Sequence, residues 1–486
     1  MSEFDITKPR ELYKTWVTHW QMFKDFYEFG PDVLYSGDYL HMHPRETIES
    51  YSDRVKRCDN YNLIPEIFGV YKSYQFSSPP QRKIEGSYKT LLEDFIANAD
   101  SKGGSLDDFM QHTAYVDALT YGWNEILVDM PTIVDPVVTV QQQKEAGYMP
   151  YVRSITPMER INWSLNTNES YKWTVIAEQP GESDEQTNEP SAIPTYLLLK
   201  PQGWERYEKQ GEDEHYTLAD SGLYTFGRVP LVPLYYTKSR KHRRFGVSLC
   251  NEIAPVAKAL LNLISQQQED IFMSFSFLGV QTDQKLEGVN ELGTKRVIAY
   301  SGDAKNPPGY ITVPVEHIEA KQKVIEAKIE QILRKSKLSQ AMGELSTKIK
   351  SGIAGAVERM ELFETLATMA KNLEEAEMQI ASMVCSYNAG KYIAPEDTGL
   401  TVHYNDKFNL EPTKEMIEFV EKVVSIYKAV SPEYVKHALK ILPHRDLRMG
   451  DEIRDTIDDE IDGADIAEMD LIPEPEIEDD GDNFKA

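Results

Sequence analysis

Cysteine is scarce in this chain: Cys58, Cys250 and Cys385 are the three, far apart in 486 residues and in no metal-ligand spacing. That argues against a disulfide framework and a cysteine zinc site, and it fits a reducing compartment. Long apolar runs are missing too. The longest weakly polar stretch, Ile271 to Val280, is far shorter than the about 20 residues that a membrane span needs. The opening residues, Met1-Ser-Glu-Phe-Asp, carry no basic stretch followed by an apolar core, so no secretory signal is expected. Together these features predict a soluble protein, intracellular where it is made, with no membrane partner. Positive charge is also in deficit. There are 52 Lys and Arg against 79 Asp and Glu, a net charge of −27, which disfavours broad adhesion to nucleic acid because the phosphates are repelled.

Signatures of catalysis are missing as well. The nearest approach to a phosphate-binding loop is Gly288-Val-Asn-Glu-Leu-Gly293-Thr294-Lys295. There Thr294 precedes the lysine and a strand follows, whereas a P-loop needs Lys directly after the glycine and then a helix. His41 and His43 flank Met42, but a metal site needs a further ligand and none is apparent. No nucleophile elbow, paired-histidine zinc motif or dinucleotide fingerprint occurs. Acidic pairs such as Asp107-Asp108 are helix-start residues, favoured there by the helix dipole. The chain is therefore expected to have no catalytic residues, no metal and no cofactor.

What is present is a long chain with 41% hydrophobic residues, enough for roughly three packed units. Apolar residues at helical spacing predict helices over Pro9–Phe29, Pro44–Cys58, Tyr88–Ala97 and Ser105–Tyr121, the last stopped by Gly122. Glu125–Asp129 then reads as a strand. From Met149 to Lys238 the pattern changes to short β segments: Tyr151–Ile155, Trp173–Ala177, Tyr196–Leu199 and Leu231–Tyr236. They are rich in β-branched and aromatic residues and are separated by turn formers. Two N-glycosylation sequons here, at Asn162 and Asn168, are read as chance in the absence of a secretory route.

One basic cluster stands out against the acidic background, Lys238-Ser-Arg240-Lys241-His-Arg243-Arg244. It is open to two readings: a contact to nucleic acid, a partner or neighbouring acidic subunits, or a solvated connector. After it come a helix over Ser248–Phe277, a compact glycine-rich segment over Leu278–Val313 with strand-like pieces at Arg296–Tyr300 and Tyr310–Val313, and a helix over about Pro314–Met342. The ten residues from Gly343 to Gly352 break that helix with Glu344, Ser346, Thr347, Lys348, Lys350 and Ser351. A long helix to about Asn388 follows, with Ile353, Val357, Met360, Phe363, Leu366, Met369, Leu373, Ile380 and Val384 on one apolar face. A strand over Leu400–Tyr404 and a helical block over Thr413–Leu442 close the ordered part. The last stretch, Asp451 to Ala486, has 16 acidic and 2 basic residues, −14 net, and reads as a mobile tail with too little apolar surface to fold.

This order of elements resembles the portal proteins of tailed bacteriophages. Tyr51-Ser-Asp-Arg54 with Asn62-Leu-Ile-Pro-Glu-Ile67, Tyr71 and Phe76, the passage Asp117 to Pro131, and Ile155-Thr-Pro-Met-Glu-Arg-Ile-Asn-Trp163 are similar to successive stretches of that family. Helix, small α/β insert, helix, charged loop and long helix resemble its stem, clip, stem, tunnel loop and long wing helix. The succession carries the resemblance, which covers roughly Pro44 to Leu442.

The resemblance implies an α+β fold of portal type: wing 1–245, first stem helix 246–277, clip 278–313, second stem helix 314–342, tunnel loop 343–352, long helix and return to the wing 353–412, helical crown 413–449, and an acidic disordered tail 450–486. It implies a homo-oligomeric ring, generally of twelve subunits, at one vertex of a virion capsid, assembled in the host cytoplasm. Double-stranded DNA would pass through it. The terminase packaging motor, major capsid and scaffolding proteins, and neck or adaptor proteins would be its partners. In that reading Gly343 and Gly352 hinge a DNA-facing loop whose Lys348 and Lys350 reach for phosphate. Another virion connector or head-completion protein is the alternative reading, and a nucleotide-hydrolysing enzyme is a second.

Overall fold

The N-terminal helices form where aromatic residues recur at helical spacing. Helix α1 (Glu11–Glu28) buries Trp20, Phe23 and Phe26, and Phe29 and Gly30 separate it from α2 (Pro31–Ser36). Helix α3 (Ile48–Arg57) is capped by Thr47, whose side chain accepts from Ser50 N, and ends in Arg54, Lys56 and Arg57, which suit the negative end of its dipole. The stretch 61–76 forms α4 (Ile64–Gln75), which buries Ile64, Ile67, Phe68 and Tyr71. A short strand β1 (Gln81–Ile84) and α5 (Lys89–Ala97) follow. The helix predicted over Ser105–Tyr121 is interrupted. Helix α6 (Leu106–Phe109) passes through a π-helical turn, Met110–Ala114, into α7 (Tyr115–Tyr121).

In this computed structural model the described residues are 5–59, 61–131, 148–178, 194–209, 215–273, 278–281, 297–300, 315–339, 352–406, 408, 420, 422–424, 431–445 and 451–464. The fold is mixed α+β. The chain divides into two units, Met1–Asp406 and Lys407–Ala486.

Two antiparallel sheets occupy the middle of the first unit. Strand β2 (Trp123–Asp129) lies between β3 (Tyr151–Ile155) and β9 (Leu231–Tyr235). The other sheet is a meander of β4 (Arg160–Leu165), β5 (Tyr171–Glu178), β6 (Thr195–Lys200), β7 (Gly203–Lys209) and β8 (Tyr216–Leu223). Leu127, Ile155, Trp163, Ile176, Leu199 and Leu231 form one core between them. Three of the meander strands were not predicted from sequence, and the cause is local. Strand β7 is half-buried along most of its length and β8 is largely exposed, so neither needs the apolar alternation that marks a strand.

Helix α8 (Cys250–Met273) and helix α9 (Val315–Lys335) pack as an antiparallel pair. Glu252 meets Lys335 at 3.4 Å, Gln267 bonds Gln322 at 3.0 Å, and Asp270 pairs with Lys321. The segment between the two helices contributes a parallel pair, β10 (Leu278–Gln281) and β11 (Val297–Tyr300). The strand-like piece read at Tyr310–Val313 lies outside the described residues. Helix α9 stops earlier than the sequence suggests, with a left-handed Lys337 at φ 59° just beyond its end.

Helix α10 (Gly352–Ala389) buries Leu366, Met369, Leu373, Ile380 and Val384. Met360, assigned to the same stripe, is 70% exposed, and the neighbouring Leu362 is buried in its place. Strand β12 (Leu400–His403) returns to pair antiparallel with β1.

In the second unit, α11 (Pro432–Arg445) packs on α12 (Asp451–Gly463). This corrects the reading of residues 451–463 as part of a disordered tail; residues 465–486 of that tail lie outside the described residues. Ile457 and Ile461 stand one helical turn apart and are half-buried. Lys440 meets the Asp462 carboxylate at 2.7 Å and Lys436 donates to its carbonyl at 2.7 Å. A partly apolar face and two opposed cations offset the self-repulsion that the composition alone emphasised.

Candidate functional site

The basic cluster is a loop between β9 and α8, and its base is tied shut. Ser239 N donates to Phe245 O (2.9 Å), Val247 N donates to Thr237 O (2.8 Å), and Lys238 and Gly246 form an isolated bridge. Inside the loop, Ser239 Oγ accepts from the backbone N–H groups of both Lys241 and His242, each at 3.2 Å. Phe245 anchors it, with its ring 5.4 Å from that of Trp16, 5.8 Å from Trp20 and 6.0 Å from Trp123. The loop can lie this close only because two glycines face each other. A Cβ on Gly246 would stand 2.1 Å from Gly122 O, and Gly122 itself sits at φ +88° with Ser248 N 2.4 Å from where its Cβ would be.

Beneath the loop is a buried charge network. Glu125 projects from β2 and is fully buried. Tyr171 on β5 donates its hydroxyl to Glu125 Oε1 at 2.5 Å, and Arg160 on β4 approaches the same oxygen at 3.1 Å. Arg160 also donates to the Tyr171 hydroxyl and, at 3.0 Å, to Arg244 O. Its guanidinium lies 4.1 Å from the ring centroids of both Trp123 and Trp163, which adds cation–π attraction to the ion pair. Arg244 reaches in from the loop to both Glu125 oxygens, at 3.2 and 3.1 Å. Burial alone would lower the Arg244 pKa, but Glu125 outweighs it and holds the group charged. Burial pushes the Tyr171 phenol up to about 12, Arg160 lowering and Glu125 raising it, so it remains a neutral donor.

The five cations of the cluster thus divide. Lys238, Arg240, Lys241 and Arg243 are exposed, while Arg244 is half-buried, carries a left-handed φ of 48° and serves as the loop's anchor. Of the other assigned residues, Gly343, Glu344, Ser346, Thr347, Lys348, Lys350 and Ser351 lie outside the described residues, and Gly352 is the first residue of α10. Glu125, Arg160 and Tyr171 were not singled out from sequence. The signal was there: a carboxylate inside Trp123-Asn-Glu-Ile-Leu-Val128, a largely apolar strand, demands a buried partner.

No family model and no curated protein matches the chain. Among solved structures it is similar to a chain in the neck of an empty gene transfer agent (GTA) particle computed with C6 symmetry, at 10% identity and TM-score 0.38, covering 76% of this chain and 87% of that one. It is also similar to a chain in the neck of a native GTA particle computed with C12 symmetry, at 10% identity and TM-score 0.35, covering 85% and 98%. A chain of the virion of a native GTA particle gives 11% identity and TM-score 0.34, with 75% and 85% covered.

The network offers structure rather than reactivity, since its carboxylate is fully engaged by two guanidiniums and a phenol. Among the described residues no group of three or more His, Cys, Asp or Glu is placed to hold a metal ion.

A second carboxylate near β2 makes stability depend on pH. Asp117 accepts from Ser154 Oγ at 2.6 Å, and burial, helped by Glu159 and Glu28, pushes it up to about 7. A carboxyl raised above its unfolded value is protonated in the folded state first, so its cost is absent below about pH 4 and grows as pH rises toward 7. Asp117→Asn is therefore expected to stabilise the protein by about 1–3 kcal/mol at pH 8 and to change little at pH 4. Thermal melts of both proteins at the two pH values check this; equal shifts at both would rule out the proton linkage.

Proposed function

We propose that the chain is the subunit of a portal ring, a channel at one capsid vertex through which double-stranded DNA enters and leaves. The observation that supports this best is the antiparallel pair α8 and α9, joined by a segment with a small parallel strand pair and followed by the 38-residue α10. That is the order of stem, clip, stem and long helix which the sequence resemblance implies. The helix pair also leaves Ile271 and Val324 exposed at 55% and 46%. A lone subunit would leave these apolar side chains in water, and neighbouring copies in a ring would cover them.

In this reading the ring docks the terminase packaging motor during filling and neck or adaptor proteins afterwards, with capsid and scaffolding proteins around it. The loop 343–352 faces DNA, with Lys348 and Lys350 making brief phosphate contacts. Strong grip would be counterproductive, because each neutralised phosphate adds affinity that a sliding duplex must break.

Light scattering with negative-stain imaging of the purified protein, alone and with its scaffolding protein, is expected to give closed rings. A monomer of 55.6 kDa under all conditions would overturn the proposal. Lys348→Ala with Lys350→Ala should change stability by less than about 0.5 kcal/mol while altering DNA packaging in reconstituted particles, more at low salt than at high. Normal packaging at both salt concentrations would remove the loop from the DNA path.

A further inference from the structure

The recess beside the basic loop concentrates positive charge. It has a volume of about 330 Å³ and is lined by Arg10, Lys241, His242 and Arg243 with Leu12, Trp163, Ser164 and Leu165; among the described residues no acidic side chain lines it. In a chain of net charge −27 that composition calls for an explanation. Arg10 donates to a neutral carbonyl, Trp163 O, at 2.7 Å, and its pKa is lowered by burial and by the like charge of Arg160. The recess is also held in shape. Arg10 N donates to Ile161 O at 2.9 Å on one wall, and the Ser239 hydroxyl fixes the backbone of Lys241 and His242 on the other. A preorganised cationic recess loses little ordering entropy when an anion enters.

Two features decide between nucleic acid and an acidic peptide. The Trp163 ring already lies under the guanidiniums of Arg10, at 4.7 Å, and Arg160, at 4.1 Å, so it is not free for the base stacking by which single strands are held. The phosphates of a duplex lie on a convex surface, whereas this is a concavity with aliphatic walls at Leu12 and Leu165. Carboxylates flanking an aliphatic side chain fit it better. The sequence contains such a run, Pro473-Glu-Pro-Glu-Ile-Glu-Asp-Asp480, with five carboxylates around Ile477 and two prolines that disfavour a helix.

We propose that the recess receives the Pro473–Asp480 run of a second copy of this chain, with Arg10, Lys241 and Arg243 pairing its carboxylates and Leu12 and Leu165 taking Ile477. The proposal rests on the portal reading only in that neighbouring copies must be present; the recess itself binds with or without a ring.

The test uses the full-length chain with its own run neutralised, Glu474, Glu476 and Glu478 changed to Gln and Asp479 and Asp480 to Asn. A fluorescein-labelled peptide spanning residues 471–482 is titrated by anisotropy, beside a labelled 20-base-pair duplex. Saturable peptide binding is expected, weakened at least tenfold by Lys241→Glu with Arg243→Glu and weakened as salt rises. Both residues are exposed, so the double variant should keep the parent melting temperature, and Lys241→Arg should restore part of the affinity. No peptide binding, or binding indifferent to the charge reversal, overturns the proposal. So does tighter binding of the duplex that the same reversal abolishes, which would make the recess a nucleic-acid contact. Failure to form rings in light scattering, with peptide binding intact, would count against the portal reading alone.

Discussion

Replacing Glu125 by alanine is expected to destabilise the first unit by about 3–5 kcal/mol, the range seen when one partner of a buried ion pair is removed. The carboxylate is fully buried and is the shared acceptor for Arg160, Arg244 and Tyr171. Without it, two guanidiniums remain with no anion between them, and the Arg160 side chain, only 1% exposed, cannot turn to water. Glu125→Gln keeps the shape but loses the charge, so most of the cost should persist. Tyr171→Phe removes one hydrogen-bonding bridge and should cost only about 1–2 kcal/mol.

Because Arg244 ties the basic loop to the network, Glu125→Ala should also expose that loop. Limited proteolysis after Lys238 to Arg243 should accelerate even at temperatures where the sheets stay folded, and the melting midpoint should fall by about 5 °C or more. A triple replacement of Glu125, Arg160 and Arg244 by apolar residues of similar volume should recover much of the stability, since the desolvation of all three charges disappears with them. An unchanged melting curve for Glu125→Ala would mean that water reaches the site and that the network is not a dry one.

The same residues show how far sequence reasoning reaches. Helices α1, α3, α5, α8, α9 and α10 are legible because each buries one stripe and their apolar spacing follows from that. Strands β4, β7 and β8 are not, because a strand that is half-exposed, or that carries a buried arginine such as Arg160, loses the alternation by which strands are recognised. Helix α12 was missed for the opposite reason: its composition pointed to disorder, while Lys436 and Lys440 opposite Asp462 come from another helix and cannot be paired with it on paper. At the candidate site the cationic loop was visible as a run of like charge. Its inward and outward members were not, since the direction of Arg244 is set by Glu125, 119 positions away, and by the contact of Gly122 with Gly246.

Glu377→Ala should have an effect of similar size, about 3–5 kcal/mol, in the C-terminal half of the long helix. Glu377 lies on α10 with its side chain 1% exposed and holds Arg82 on β1 through both oxygens, one contact at 3.1 Å. Tyr404, just after β12, donates to Glu377 Oε2 at 2.8 Å, and Asp107 on α6 pairs with Arg82 at 2.5 Å. Burial lowers the Arg82 pKa, and the hydrogen bonds to Glu377 and Asp107 more than reverse that, so the guanidinium is charged at every accessible pH. Removing Glu377 leaves that charge with Asp107, whose side chain is 46% exposed, and leaves the Tyr404 hydroxyl buried without its acceptor. The β1–β12 pair is only four residues long, and its other ties to α10 include Tyr404 N donating to Glu374 Oε1 at 2.9 Å and the buried Leu400 and Val402. Hydrogen exchange should therefore speed up first at residues 81–84 and 400–403. Asp107→Ala removes only the partly solvated partner and is expected to cost less than about 1 kcal/mol. If Asp107→Ala and Glu377→Ala proved equally costly, the burial of Glu377 would not be what gives this cluster its strength, and the exposed pair would have to carry it.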